Sequence, residues 1–585
     1  MRDARLYFDP YDHNALLLRA REVQGRIFTL LVRWYQTTEP RYREAAFRDL
    51  RALGAWEHWS WDASRRKDAD PKADFDLSYG ENCFTLAFAY DCLRGTLSDA
   101  ERNELVSVAR RRGLDPFLFH TEKGNRLGWW GAPDTNWNAV CAGGAGMLAI
   151  ALGNDDPVAA EALHRAEQSV GPFFAHLQST HGACPEGLAY WNYGMRYATY
   201  FVLSLEAVRG RPHPWLETPQ VAATVDFPLH FSPFAATTGF GDINTWVPLP
   251  FHYALAGRFN RPDVVPQLDR QANRIKRIPH KDHWAYDAEM LLLHPGATKI
   301  LRPKLWTGRR HYPKVDWGVL ADRWPQPRLY ASIRGGSTAV PHSHLDLLSF
   351  HLVSEGRHFI DSCTIHEYLD TSFSERRWEL FETAPAAKNT LLVNGLGITS
   401  NSMVNLEPLD LPGATGFRMD ATQAMGRTVG RASDRPAVEA CVRAFLHIPT
   451  IGLIVIDTVR LLHPGRVEAR FHTPARIRRG RHRLTLSLGG RHLRVTFASN
   501  VPADVFLAHT APTLPTEGQH VFRWCTLARA HTQVLFATLF STTAGLASIK
   551  LDQSTDGAVV SVLSGKRRIK FKLDASLKPC ARQQP

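Results

Sequence analysis

Along the first half of the chain, apolar residues recur at three- and four-residue spacing. The pattern predicts helices over Asn14 to Tyr35, Tyr42 to Leu53, Cys83 to Leu93, Asp99 to Arg112, Pro157 to Leu177 and Met195 to Val208. The loops between them are rich in Gly, Pro and Trp, as in Trp56-Glu57-His58-Trp59-Ser60-Trp61 and Gly128-Trp129-Trp130-Gly131. From about Leu329 the pattern changes to short β-branched or alternating runs bounded by turn residues. Leu329 to Ile333, Leu453 to Asp457, Leu484 to Leu488 and Val534 to Leu539 are examples. Residues 1–302 therefore read as a helical domain and 328–578 as stacked antiparallel sheets. Residues 303–327, rich in Pro, Arg and Trp, read as the connection, and the tail beyond Lys578 as loose. Helical hairpins can close into a toroid with a groove at one end, but no repeat is visible, so an irregular helical domain also fits.

A chain of 585 residues is long enough for two or more domains. The formal charge of +13 points to an anionic partner. No C2H2, RRM or KH signature is present, so a nucleic-acid partner is not expected. No apolar run approaches the length of a membrane span, so no membrane partner is expected either. Two arginine clusters have sufficient structural readings. Arg110-Arg111-Arg112 ends a predicted helix before Gly113, where cations suit the helix dipole. Arg476, Arg478, Arg479, Arg481 and Arg483 lie on a predicted hairpin closed by Gly489-Gly490, as a solvated sheet face or, less simply, a glycan-binding patch. The eight cysteines form no CxxC pair and read as mostly buried thiols. The opening Met1-Arg2-Asp3-Ala4-Arg5 shows no signal-peptide pattern, which fits a cytoplasmic protein or a trimmed exported one.

Chemistry concentrates in two places. One is Pro341-His342-Ser343-His344-Leu345-Asp346, followed by Asp361-Ser362 after the return strand Arg357-His358-Phe359-Ile360. If His342 and His344 lie on a strand, they share a face, and Asp361 can join them. Such a group suits a metal, proton transfer, or only a polar strand face. The other place has two parts, Asp134 to Gly144 and Cys184 to Gly194. Each opens an apolar helical run, so amides, tryptophans and tyrosines sit near helix N-termini, which favour bound carboxylates. Packing alone also explains aromatic-rich helix starts.

Taken in order, Asn136 to Gly144 (NWNAVCAGG), Pro185 to Gly194 (PEGLAYWNYG), His342 to Phe350 (HSHLDLLSF) with Asp361-Ser362, and Lys388 to Gly395 (KNTLLVNG) resemble the heparinase II/III-like polysaccharide lyases. The resemblance implies an α+β multidomain chain, with an N-terminal (α/α) toroid followed by a C-terminal antiparallel β-sandwich. It also implies β-elimination on an acidic, uronic-acid glycan such as a glycosaminoglycan or alginate. Elimination removes the proton on C5 and expels the 4-linked sugar. It needs a group to neutralise the carboxylate, a base, and an acid for the leaving oxygen. By resemblance Asn136, with Asn138 second, is the candidate for neutralisation. Tyr190 is the candidate for proton transfer, with Tyr193 one turn on as the fallback, and His342 is the candidate base. Trp137, Trp191 and Tyr193 are the candidate sugar contacts, and Glu186 either a general acid or an ordering group. The family often has a His before Asn-Thr that completes a zinc site with the second His of HxH and the later Asp. Here Lys388 stands there, and an ammonium has no lone pair. No cofactor is therefore expected. His344 and Asp361 read as vestiges of a metal site, with Lys388 paired to Asp361. Two other readings stay open: a glycoside hydrolase using Glu186 with Asp134 or Asp242, and a non-catalytic binder of acidic polysaccharide.

Overall fold

The computed structural model describes residues 15–60, 76–122, 131–132, 135–234, 237–242, 246–275, 285–296, 305–365, 368, 372–426, 438–480, 483–510, 512–513, 519–528, 530–542, 547–554 and 557–580. Asp134, Gly128 to Trp130, Trp61 and Arg481 lie outside these residues. The chain divides into two compact units. The first holds Met1–Cys184, Ala189–Phe227 and Val247–Leu301, and the second Pro185–Leu188, Pro228–Trp246 and Arg302–Pro585.

The first unit is helical. Asp76 caps the helix Leu77–Leu93 by accepting from Ser78 N and Tyr79 N. That helix and Asn136–Leu152 are buried on nearly every side along most of their length. They cross at glycines: a Cβ added to Gly144 would lie 2.2 Å from Gly80 O. The crossing fixes where Asn136 stands at its helix start. The helix predicted to stop at Gly113 does not stop there. It passes from Asp99–Val108 through a π turn, Ala109–Leu114, into Asp115–Thr121. The arginines explain this, because Arg110 pairs with Asp115 and Asp156, and Arg112 donates to the carbonyls of Trp56 and Glu57. They serve tertiary contacts rather than a helix end. Among the described residues no helix is long and apolar enough to cross a membrane.

The second unit is antiparallel β. One five-stranded sheet runs β1 (Trp306–Tyr312), β2 (Trp317–Trp324), β3 (Leu329–Arg334), β5 (Phe350–Ser354) and β6 (Arg357–Ile360). The short β4 (Gly336–Ser337) pairs with Met403–Val404. The segment expected as a connection thus supplies the first two strands. β1 is an edge strand, and among its residues only Tyr312 is buried, so it lacks the apolar alternation that reveals a strand. Behind lies an eight-stranded sheet with Gly452–Leu461 inside it. Leu453, Val455 and Val459 join one core while Ile454 and Ile456 join another. Period-two alternation with apolar residues on both faces means that this sheet is covered on both sides. His230 and Thr238 are tied to β3, where Tyr330 Oη donates to His230 O at 2.7 Å and Ser332 Oγ to Thr238 O at 2.6 Å. All eight cysteines are free; Cys92 is exposed, Cys363 and Cys580 half-buried, the rest buried.

Candidate functional site

The HxH motif is not on a strand. It lies in the loop from β4 to β5, and His342 takes a left-handed backbone with φ 61°. The two imidazoles are brought together by the fold rather than by strand alternation. Gly241, at φ 81°, would place an added Cβ 2.6 Å from His342 O, so only glycine lets the two segments approach. The next residue, Asp242, donates its N–H to His342 O at 3.0 Å. Its carboxylate is the hub of the cluster. His344 Nε2 lies 2.8 Å from Asp242 Oδ1, His342 Nδ1 3.3 Å from Asp242 Oδ2, and Arg377 Nη2 2.5 Å from Asp242 Oδ1. On its far side His342 Nε2 is 3.5 Å from Glu186 Oε2.

Lys388 corrects one expectation. It does not pair with Asp361. Its Nζ lies 2.7 Å from His344 Nδ1 and donates to Cys363 O at 2.7 Å. An ammonium can only donate, so His344 Nδ1 accepts and its Nε2–H donates to Asp242. Asp242 Oδ2 then accepts from His342 Nδ1–H. That hydrogen bond sets the tautomer of His342 and leaves the lone pair on Nε2. Burial would raise the Asp242 pKa, but hydrogen bonds from His342 and His344 and the charge of Arg377 overcome it and hold the carboxylate ionised. Burial lowers His342 and takes His344 down to about 4, with Lys388 adding to the latter. Burial also lowers Lys388 to about 8. At neutral pH both imidazoles are therefore neutral.

Asp361 does not join His342 and His344. It faces His351 and His358 instead. The Lys388-Asn389-Thr390 motif works structurally: Asn389 Nδ2 donates to the carbonyls of Phe350 and Asp361, and Thr390 Oγ1 to Leu347 O.

In the helical unit, Asn136 opens its helix and is 1% exposed. Gly194 packs against it, an added Cβ there being 3.2 Å from Asn136 Cα. Tyr190 precedes Gly194 by one turn on the same helix face, and it is half-buried. The turn after Tyr190 is thus the part of this helix that packs against the helix start at Asn136. Asn138 is committed elsewhere, donating to Ser169 O at 2.7 Å. Tyr193 donates to Glu81 at 2.5 Å inside the core, and burial pushes its pKa well up, so it cannot serve as the fallback proton carrier or a sugar contact. Trp191 is 1% exposed and donates to Thr224 Oγ1, which makes it a core residue rather than a sugar platform. Trp137 is half-buried and keeps that role open.

Asp242 entered the sequence reading only as a hydrolase carboxylate, and Arg377 not at all. Gly239-Phe240-Gly241-Asp242 carried a faint turn signal; Arg377 carried none. As paired carboxylates, Glu186 and Asp242 fail on geometry, because the His342 ring lies between them where a sugar would have to sit. Asp134, the other hydrolase candidate, is outside the described residues.

Residues 307–523 match the family described as heparinase II/III-like, C-terminal. Those residues make up most of the β unit. Among solved structures, the fold is similar to heparinase III at 10% identity, covering 93% of this chain and 81% of that one with a TM-score of 0.64. It is similar to a heparan sulfate lyase from Pedobacter heparinus at 10% identity, covering 96% and 83% with a TM-score of 0.63. A heparinase III gene product gives 10% identity, 97% and 88% coverage, and a TM-score of 0.66. The helical first unit and β second unit accord with that architecture. None of the curated proteins matches this sequence.

Proposed function

We propose that the protein is a polysaccharide lyase that cleaves a uronic-acid glycan by β-elimination. The observation that carries the reading is the hydrogen-bond network in which Lys388 donates to His344, and His344 and His342 both donate to Asp242. It delivers a neutral imidazole with its Nε2 lone pair directed outward from Asp242. On taking the C5 proton, the imidazolium would stand between Asp242 and Glu186, both of which stabilise its charge. Arg377 holds Asp242 in place. Asn136 is assigned to the substrate carboxylate and the Tyr190 hydroxyl to the leaving oxygen. The match to the heparinase II/III-like family supports the reaction class, and the heparan sulfate lyase among the similar structures makes heparan sulfate the first substrate to try.

The test is an ultraviolet assay of purified protein on heparan sulfate, chondroitin, hyaluronan and alginate. A lyase makes a conjugated unsaturated uronate and absorbance rises. Reducing ends without absorbance would mean hydrolysis, and binding with neither product would mean a non-catalytic binder; either result sinks the proposal.

A further inference from the structure

The groups around Asp361 are used by no step above. β5 and β6 pair as Leu352↔Ile360 and Val353↔His358, with a register shift between them. The extra residue is Phe359, a β-bulge. Without it His358 and Asp361, three apart, would point to opposite faces. With it, Asp361 follows the partner of Leu352 and comes opposite His351, and His358 stands opposite Val353 on the same face. The bulge therefore gathers two imidazoles and a carboxylate that strand alternation would separate.

They converge closely. His351 Nδ1 is 3.2 Å from His358 Nε2 and 3.2 Å from Asp361 Oδ1. His358 Nδ1 is 3.6 Å from Asp361 Oδ2. One ligand atom from each residue lies within 4.8 Å of the others. Hydrogen bonds alone serve this trio poorly. A proton on His351 Nδ1 can satisfy His358 or Asp361, not both.

We propose that His351, His358 and Asp361 form a binding site for one divalent first-row transition ion of the zinc type. A tetrahedral zinc with bonds of about 2.0–2.1 Å needs ligand atoms about 3.3 Å apart, so the trio, whose single ligand atoms lie within 4.8 Å of one another, has only to draw in slightly to hold the ion. Two imidazoles and one carboxylate favour such an ion over magnesium or calcium, which take oxygen ligands. Asp361 is oriented by Ser362 N, which donates to Oδ1 at 2.8 Å, and by Asn389 through its main-chain carbonyl. His351 packs against Phe240, with ring centroids 5.1 Å apart. The side chain of Asp361 is 29% exposed, so water can supply the fourth ligand. The set differs from that implied by the resemblance. His344 has Asp242 on one nitrogen and Lys388 on the other, and has no lone pair to offer. The ion would pin the bulge between β5 and β6, whether or not the protein is a lyase.

The test uses full-length protein stripped with EDTA, dialysed, and titrated with zinc chloride alone, read by calorimetry and elemental analysis. Cobalt(II) as a second probe reports coordination by its visible absorption. Wild type should bind about one ion per chain, and His358→Ala and Asp361→Asn should lose it. His358 is half-buried on a short strand, and circular dichroism checks that its variant folds. No binding by wild type overturns the proposal. So does unchanged binding by folded His358→Ala, since an ion held by other groups would not need that imidazole.

Discussion

At the scale of single residues, the arrangement separates groups that share a motif. Asp242 acts through His342, so Asp242→Asn should depress turnover far more than substrate affinity. The amide carries no charge to stabilise the imidazolium and leaves Arg377 and His344 facing a neutral group. His342→Ala should lower turnover by about 10²–10⁴, the range of a lost general base. Steady-state rates at several pH values check both; full activity in either variant would remove His342 from the chemistry. The acid limb of kcat/KM in the wild type should fall below pH 6.5, because burial lowers the His342 pKa from that value. The two tyrosines provide a second contrast. Tyr190→Phe should abolish elimination and leave the melting temperature almost unchanged, because its ring is retained at a half-buried position. Tyr193→Phe should do the reverse: it removes a buried hydrogen bond to Glu81 and costs stability, about 1–3 kcal/mol. A Tyr193→Phe variant that loses turnover while melting like wild type would reverse the assignment. The sequence could place both tyrosines near a helix start, but not say which one turned inward. That depends on Glu81 and Arg21, which lie far away along the chain.

At the scale of elements, the helices were legible where they are long and periodic, and the strands where they alternate. The crossing of Leu77–Leu93 with Asn136–Leu152 was not, because it depends on glycines meeting across two helices. Gly144→Ala would press a methyl onto Gly80 O, a backbone atom that cannot swing aside. The helices must part, at a cost of about 1–3 kcal/mol for overpacking. Asn136, at the start of the displaced helix, should lose its register with Gly194 and Tyr190. We expect lower stability and lower turnover together, seen by denaturant melts and the ultraviolet assay. Unchanged values of both would mean that the crossing is looser than the structure indicates. The HxH loop shows another limit of local pattern. Two histidines flanking one residue read as a strand face, yet Gly241 and the buried Arg334–Asp346 pair hold them in a loop. β1 was read as linker for the opposite reason, since an exposed edge has no alternation to detect, while the buried β2 is a short run with Lys, Asp, Arg and Pro close on either side of its apolar residues.

At the scale of the whole molecule, the order of helical and β units followed from patterning, while the buried charge network did not, since its members come from four separated stretches of chain. That network makes stability depend on pH in a direction that can be worked out. Lys388 titrates near 8 when folded and near 10.5 when unfolded, because burial disfavours its charge. Between those values the unfolded chain holds a proton that the folded protein does not, so this group makes stability rise with pH. Its effect is absent above 10.5, and below 8 it is a constant penalty. Buried histidines act the same way lower down. His252 and His344 are held near 4 and His472 near 3, chiefly by burial. As pH falls from 6.5 towards 4, the unfolded chain takes up protons that these rings refuse. Each then removes up to about 1.4 kcal/mol per pH unit. Lys388→Met tests the upper window. It keeps a side chain of similar length and removes the titration, though it also removes the hydrogen bonds to His344 and Cys363 O. Whatever its effect at pH 7, the melting temperature of the variant relative to wild type should fall steadily between pH 8 and 10.5, as wild type gains stability that the variant cannot. A difference that stays flat across that window would mean that Lys388 keeps its ordinary pKa and that the ammonium is better solvated than its burial against His344 implies.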